Sequence, residues 1–480
     1  MKILYVSSEV VPFAKTGGLA DVAGALPKAI GALGHDIRII MPKYGMIDEK
    51  KYDLKKIYSK ISIPVGDHFE FASVYETKLP GSNITVYFVS NDKYFKRKGL
   101  YQEDGIDYKD NCERFSFFCR AVCEFIKQLG WVPNVLHCND WQTAIIVPYF
   151  KFKYDFRKTT TVYSIHNMGY LGLFPKEDIL LTGFGWEMFK FDKLEFWDQL
   201  SFSKAGLVFA DIITTVSPTY AKEIQTKEFG FGLHELLDSR KERVFGILNG
   251  IDYEIWNPAT DKLIPKNFSG NSIELKYENK QALQKKNGLA LKKTTPLIGI
   301  VSRLADQKGF DILVEALDEI MKLNCQLVLL GTGEQKYHKL FEDAKKKNPK
   351  KIGVNLGFDA ALAELIYAGS DMFLMPSKYE PCGLGQLIAF KYGTVPIVRK
   401  TGGLADTVHN YDIKKATGDG FVFEEYTAEA LFDAVKRAVL TFNKRKDWTY
   451  LMKKIMLSDY SWEVSAKKYV EIYGKKWSLQ

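Results

Sequence analysis

From Lys2 to Phe423, short runs rich in β-branched residues alternate with stretches of helical periodicity, and this alternation constrains the fold more than any other feature. In the first half the spacing predicts strands at Lys2–Ser7, Asp36–Met41, Phe71–Glu76, Ile84–Ser90, Val135–Cys138, Thr160–Ile165 and Ile212–Val216. In the second half it predicts strands at Leu297–Ser302, Gln326–Leu330, Gly353–Leu356, Met372–Met375, Val395–Val398 and Gly420–Phe423. Such a pattern implies parallel sheets covered by helices on both faces. With 480 residues the chain exceeds a single core, so two doubly wound α/β domains are expected. Turn chemistry at Leu248-Asn-Gly-Ile-Asp and the extended Trp256-Asn-Pro segment place the boundary between Leu248 and Thr294, with a helix following over Asn271–Asn287. The segments Met46–Asp67 and Asp92–Asp110 read as irregular, the latter as a surface loop suited to a lid or an acceptor surface.

The string Thr-Gly-Gly-Leu-Ala-Asp occurs twice, at Thr16–Asp21 and at Thr401–Asp406, each time after a strand, a basic residue (Lys15, Lys400) and before a helix. Glycines admit a ligand close to the backbone, and a helix N-terminus offers N–H groups to an anion. Two such corners point to two nucleotide-type domains holding one charged, sugar-like ligand. In open parallel sheets ligands bind beyond the carboxyl ends of the strands. Ser8 and Glu9, Asn139 and Asp140, His166 and Asn167, and Ser217 fall there in the first half. Arg303 with Lys308, Gly331-Thr-Gly333, Glu380-Pro-Cys-Gly-Leu and Thr401-Gly402-Gly403 fall there in the second. Two cations within six residues, Arg303 and Lys308, repel each other unless an anion lies between them. Glu380, ahead of Pro381 in a glycine-rich turn, is placed to accept sugar hydroxyls. His166 alone fits a structural role as well as a catalytic one, and Asp140 fits a helix N-cap as well as a site residue. Gly331-Thr-Gly lacks the full dinucleotide fingerprint.

Composition narrows the classes. The formal net charge of +9 reads as a Lys-rich solvated surface that also suits an anionic substrate. No dense basic stripe interleaved with aromatics argues for nucleic acid. The six cysteines form no CxxC pair and have no zinc-ligand spacing, and scattered thiols in a large chain fit a reducing cytoplasm. The opening Met-Lys-Ile-Leu-Tyr-Val-Ser is too short an apolar run for a leader and reads as a first strand, and no segment has the apolar length of a membrane span. The chain has no Asp-x-Asp pair, so no metal clamp of the kind common among nucleotide-sugar enzymes is expected. Lys15, Arg303, Lys308 and glycine amides would then neutralise a leaving diphosphate.

Lys15-Thr-Gly-Gly-Leu-Ala-Asp-Val, His166-Asn, Lys204-Ala-Gly-Leu, Val216-Ser-Pro-Thr-Tyr-Ala, Leu248-Asn-Gly-Ile-Asp, Ser302-Arg-Leu, Gln307-Lys-Gly, Glu380-Pro-Cys-Gly-Leu and Lys400-Thr-Gly-Gly-Leu-Ala-Asp-Thr-Val resemble, in order and along essentially the whole chain, the bacterial glycogen synthase and plant starch synthase family. The resemblance implies a GT-B fold of two Rossmann-like domains, residues 1–250 on the acceptor side and 251–456 on the nucleotide-sugar side, with a last helix in 457–480 returning to the first domain. It implies transfer of glucose from ADP-glucose to the non-reducing end of an α-1,4-glucan (glycogen or maltodextrin), with retention and without a metal cofactor. Carried over by position, Lys15 and the amides of Gly17 and Gly18 meet the diphosphate and sugar, and Arg303 and Lys308 offset the diphosphate charge. Asp21, His166, Asn249 and Glu380 surround the donor glucose, with the Cys382, Gly383 and Leu384 backbone adding donors. The His166 carbonyl faces developing positive charge, and Asp140 and Trp141 lie towards the acceptor. Glu9, Asn167, Gly331, Gly333 and Thr401–Gly403 complete the expected contacts. Phe358 stands where the family usually has Tyr, an adenine-stacking position, and Leu171 where it often has Gln. No second acid suits the double displacement of retaining hydrolases, so front-side displacement is expected, with the leaving diphosphate helping to deprotonate the acceptor hydroxyl. Donor binding would draw the two domains' cations together and exclude water.

Three alternatives remain at this level. Other GT-B transferases, sucrose synthase-like or trehalose-forming, share the Arg, Lys and Glu of the second domain and generally lack the N-terminal Lys-Thr-Gly-Gly-Leu. A glucan- or nucleotide-binding protein with a decayed site would not need Lys15, His166, Arg303, Lys308 and Glu380 together. A nicotinamide oxidoreductase would need a G-x-G-x-x-G after the first strand, which is missing.

Overall fold

The computed structural model describes residues 1–475 and contains two compact units. The first comprises Met1–Val216, Ala221–Ile247 and the residues from Trp462 onward; the second comprises Ser217–Tyr220 and Leu248–Ser461. Helix Trp462–Tyr473 belongs to the first unit and packs on helix Gly18–Ala32. Of the C-terminal segment read as 457–480, residues 476–480 lie outside the described residues.

The second unit holds a six-stranded, wholly parallel sheet in the spatial order Ile352–Leu356, Gln326–Gly331, Leu297–Val301, Met372–Met375, Val395–Arg399, Phe421–Phe423. In chain order this is 3-2-1-4-5-6, the doubly wound Rossmann arrangement, and its switch point lies between Leu297–Val301 and Met372–Met375. Both strands are apolar and almost wholly buried because helices cover both faces. The expected helix over 271–287 is a 3-10 turn, Gly270–Leu275, leading into an α-helix, Lys276–Lys286. Lys276 begins that helix fully buried, its ammonium donating to the carbonyls of Tyr367, Ala368 and Tyr392 and to the Thr394 hydroxyl. Burial lowers its pKa to about 7.

The first unit repeats the 3-2-1-4-5-6 order with Thr85–Ser90, Asp36–Pro42, Lys2–Val6, Val135–Asn139, Thr160–Ile165 and Ile212–Thr215, and adds Val244–Gly246 beyond them. Its switch point lies between Lys2–Val6 and Val135–Asn139. Past Thr85–Ser90 the sheet turns antiparallel, with strands His68–Lys78 and Lys55–Val65, so it is mixed rather than wholly parallel. The outer strand corrects the reading of Met46–Asp67 as irregular. Its register shifts at Tyr58 and at Ile61, beside Lys60 with φ 57°, so the period-two pattern survives only at Ile61, Ile63 and Val65. Bulges and lysines on an edge strand also discourage pairing with other chains, and they hide the strand from pattern reading.

The segment 92–110 has more order than a plain loop. It contains a helical turn, Asp92–Phe95, and a small hairpin, Gln102–Glu103 with Ile106–Asp107. Arg97 pairs with Asp110 through two hydrogen bonds. The buried Arg114 guanidinium bonds the carbonyls of Tyr94 and Leu100 at 2.8 and 3.0 Å. These ties fix Tyr101 over the end of the first strand.

Candidate active site

In the first unit the candidate residues gather at the switch point. Glu9 follows Lys2–Val6, is buried, and does not present a free carboxylate. Its oxygens accept from the Thr16 amide and hydroxyl, from the Gly17 amide at 3.2 Å and from the Tyr101 hydroxyl at 2.8 Å. Glu9 therefore shapes the Lys15-Thr-Gly-Gly loop. Gly17 and Gly18 are exposed at the start of helix Gly18–Ala32, and a Cβ built on either meets nothing within 4 Å. Neither has a positive φ, so no intramolecular constraint requires glycine at either position. What glycine leaves there is open backbone beside a helix N-terminus, suited to an anion. Lys15 pairs with Asp21 at 2.7 Å, both about half exposed.

On the neighbouring strand, Asn139 is buried and fixed. Its amide nitrogen donates to the Val6 carbonyl at 2.9 Å, which directs its oxygen to accept from Tyr5 and from His166 Nε2, both at 2.9 Å. That assignment puts the imidazole proton on Nε2 and the lone pair on Nδ1. Desolvation lowers the His166 pKa to about 4, so the ring is neutral at pH 7. Asp140 has φ 55° and accepts from the His166 amide at 2.8 Å. Burial pushes its pKa up to about 7, against the opposing effect of that amide bond. A left-handed aspartate whose carboxylate is desolvated is the kind of local strain that collects at working sites. Asp140 caps no helix through its side chain. Asn167 accepts from Gly169 N and makes a turn. The Trp141 ring is packed edge-on with Phe115 and Phe174, at 5.0 and 5.7 Å between centroids, and a Cβ on Gly172 would approach it at 2.8 Å. Leu171 is buried, so the side chain at this departure from the family pattern packs rather than reaches outward.

In the second unit a pocket of about 230 Å³ sits at the switch point, lined among others by Ser302, Arg303, Lys308, Ser377, Glu380 and Leu384. Lys308 donates to both oxygens of Glu380, at 2.9 and 2.7 Å, and Ser377 donates to Oε2 at 2.9 Å. Glu380 is buried and Lys308 nearly so. Arg303 is exposed and makes no side-chain ion pair or hydrogen bond among the described residues. Gly309 carries φ 74°, and a Cβ there would collide with the Pro376 carbonyl, so glycine alone lets Lys308 reach Glu380. Asn249 is buried, and its side-chain oxygen has no hydrogen-bond partner among the described residues. Its backbone N–H faces the Cys382 thiol, which burial raises to about 12 and makes inert. Gly383 has φ 73° and Leu384 precedes helix Gly385–Lys391, which has no side-chain cap. Phe358, after strand Ile352–Leu356, is 91% exposed, an open ring.

Five of the expected contact residues, Gly331, Gly333, Thr401, Gly402 and Gly403, also have a role within the fold. A Cβ on Gly331 would strike the Ser302 carbonyl and one on Gly333 the Leu304 carbonyl, so these glycines serve the close approach of two backbone segments. The Gly333 amide donates to His338. Gly402 and Gly403 are buried against the carbonyls of Glu380 and Cys382, and the Gly403 amide donates to Glu380 and Pro381. Thr401 is buried with them, and Lys400 pairs with Glu424. The second repeat thus braces the Glu380 turn. The role of Tyr101 as an anchor of Glu9 had no signal in the sequence; it depends on a loop folding back over about 90 residues.

Two other clusters carry no site. His68, Glu70 and Glu113 have metal-ligand spacing, but the Lys93 ammonium already lies on both carboxylates, at 2.7 and 3.1 Å. A cleft of about 710 Å³ in the first unit is lined by Lys151, Arg157, Lys158, Arg240 and Arg243. Arg240 caps the carbonyls of Val208 and Ala210 there, at the C-terminus of helix Phe202–Phe209, and Lys151 pairs with Asp211.

Residues 2–239 match the family described as "Starch synthase catalytic domain", and residues 281–454 match "Glycosyl transferases group 1". The chain is 47% identical to glycogen synthase from Geotalea daltonii over 98% of both chains. It is 45% identical to glycogen synthase from Thermotoga maritima over 99% of both. The solved catalytic domain of starch synthase IV from Arabidopsis thaliana, bound to ADP and acarbose, superposes with a TM-score of 0.91 at 34% identity, covering 98% of each chain. With that kinship added to two Rossmann sheets carrying polar groups at their switch points, the chain belongs to the glycogen and starch synthase family of GT-B hexosyltransferases.

Proposed function

We propose that this protein transfers glucose from ADP-glucose to the non-reducing end of an α-1,4-glucan, with retention and without a metal cofactor. The observation that carries the reading is the Lys308–Glu380 pair at the second unit's switch point, beside an unpaired Arg303. A diphosphate supplies the charge that Arg303 lacks and competes for Lys308, which frees Glu380 to accept glucose hydroxyls. Asn249, with its buried unpartnered oxygen, adds an acceptor for a hydroxyl donor. Phe358 offers its exposed face to the adenine. The first unit offers groups of the same kind at its own switch point, Lys15 paired with the half-exposed Asp21 and the open backbone at Gly18. ADP in the Arabidopsis relative supports the nucleotide, and acarbose there supports an α-glucan-like acceptor.

Retention follows front-side displacement in this reading. The leaving diphosphate, held by cations, takes up the acceptor hydroxyl proton on the face from which it departs. Glu380 is a poor nucleophile in this reading because Ser377 holds one of its oxygens and the glucose hydroxyls engage the carboxylate once Lys308 turns to the diphosphate. Neutral His166 adds no charge against the oxocarbenium-like sugar, and its carbonyl faces it. The test uses purified protein, glycogen and radiolabelled ADP-glucose or UDP-glucose in the presence of EDTA. Label from ADP-glucose in amylase-sensitive polymer is expected. Label only from UDP-glucose overturns the donor, a requirement for added metal overturns the cation clamp, and a trapped glucosyl ester on Glu380 or Asp140 overturns the displacement.

A further inference from the structure

The hairpin that joins Glu195–Phe196 to Gln199–Ser201 turns through two residues, Trp197 and Asp198, with φ 52° and 59°. Positive φ at both central positions marks a type I′ turn, which favours Asn-Gly and penalises a bulky side chain. Here a tryptophan occupies the first position and stands 79% exposed. The turn is also braced. Lys176 bonds both carboxylate oxygens of Asp198, at 3.0 and 2.8 Å, and Glu195 accepts from the Asp198 amide at 2.8 Å. A Cβ on Gly232 would lie 2.9 Å from Phe196 and 3.4 Å from the Trp197 indole nitrogen, so a second backbone segment backs the pair of rings. That segment contains Phe231, itself left-handed at φ 48° and 38% exposed. The ring meets Phe196 edge-on at 6.3 Å between centroids, yet most of its surface faces outward, so the strained position holds an open aromatic face rather than a buried one.

The same small sheet is continuous with the candidate acceptor region. Its first strand, Leu173–Pro175, follows directly from the His166–Gly172 loop and pairs Leu173 with Ser201. The Phe202 and Ser203 amides donate to the carbonyls of Gly172 and Leu171, and Phe174 packs on Trp141.

The geometry points to Trp197 as a stacking platform for a glucose ring of the α-glucan, remote along the chain from the donor residues. This rests on the glucan reading above. A pyranose presents a flat C–H face to an indole and a rim of hydroxyls to Lys176, Asp198 and Gln199 around it. Trp197 with the partly exposed Phe231 and a charged rim is too small for a stable protein interface but suits a polymer that repeats the same ring.

The test measures glycogen affinity by electrophoresis through glycogen-containing gels, with the Trp197→Asn and Trp197→Tyr variants of the full chain. Asn suits the left-handed turn, so the variant should fold with an undiminished melting temperature. Its Kd for glycogen is expected to rise about fivefold to tenfold, and its KM for glycogen to rise more than that for maltotriose. Tyr, which keeps a ring, is expected to retain most of the affinity. Unchanged glycogen binding in Trp197→Asn overturns the platform, as does a change in oligomeric state in place of a change in affinity. Glycogen binding that depends on Trp197 without transfer from ADP-glucose would sustain the platform and overturn the donor reading alone.

Discussion

The two Thr-Gly-Gly-Leu-Ala-Asp strings are identical in sequence and opposite in use. The first follows the central strand of its sheet, at the switch point; a Cβ added to either of its glycines would meet nothing within 4 Å, and its Asp21 pairs with an exposed lysine. The second follows the fifth strand of its sheet, next to the switch point rather than at it. Its glycines are pressed against the Glu380–Cys382 backbone, and its Asp406 caps Thr219 through amide and hydroxyl, at 2.8 and 2.7 Å. One copy leaves backbone open for a ligand and the other holds in place the turn that carries Glu380. The position of a strand in the sheet, not the residues that follow it, decided which.

The largest effect expected is on rate. Lys15→Ala and Lys308→Ala should each lower kcat/KM by roughly 100-fold to 1000-fold, as loss of a preorganised charge does. Their stabilities should separate. Lys15 lies in an exposed pair worth under about 1 kcal/mol, so its loss barely moves the urea midpoint. Lys308 leaves the buried Glu380 carboxylate without its partner, at a cost of about 3 kcal/mol or more. Equal stability loss in both variants would break the distinction between an open and a locked switch point.

The glycines sharpen the contrast. Gly403→Ala drives a methyl into the Cys382 carbonyl and should destabilise by about 1–3 kcal/mol, with activity falling as the Glu380 turn shifts. Gly18→Ala meets open space in the first turn of a helix and should leave stability unchanged or raise it by up to about 1 kcal/mol, while lowering activity. A stability loss in Gly18→Ala would show that its freedom serves the fold. Next in size, Asp406→Ala removes a helix cap and should cost about 1 kcal/mol, whereas Asp21→Ala should cost less and slow the reaction.

The parallel core was legible because buried strands write themselves as apolar runs: Thr160–Ile165 and Met372–Met375 lie where the pattern put them. The edge strand Lys55–Val65 was not, since bulges and lysines erase the alternation. Glu380, Lys308 and Arg303 were legible because charge at a buried strand's end is costly without a purpose. The division of labour between the two repeats was not, because Gly403 and Gly18 differ only in what lies within 3 Å of a missing methyl. Nor was the tautomer of His166, which depends on Asn139 being turned by the Val6 carbonyl.

The smallest effect is a change of slope with pH, and it separates the two switch points by how they handle charge. The second pairs its ions, whereas the first holds titratable groups desolvated. Asp140 binds a proton in the native state up to about pH 7, against an ordinary value of 3.8, so its contribution to stability is full below pH 3.8 and lost as pH rises to 7. His166 goes the other way: its native pKa of about 4 lies below the ordinary 6.5, so its contribution is present above pH 6.5 and lost as pH falls to 4. Between these limits the two slopes oppose each other. Asp140→Asn removes the falling one, so the variant's stability should climb more steeply than the parent's between pH 4.5 and 6.5, by up to about 1.4 kcal/mol per pH unit. Urea unfolding at four or five pH values reads this directly. Parallel curves for variant and parent would mean that Asp140 is already ionised in the folded protein, and that the amide of His166 outweighs its loss of water.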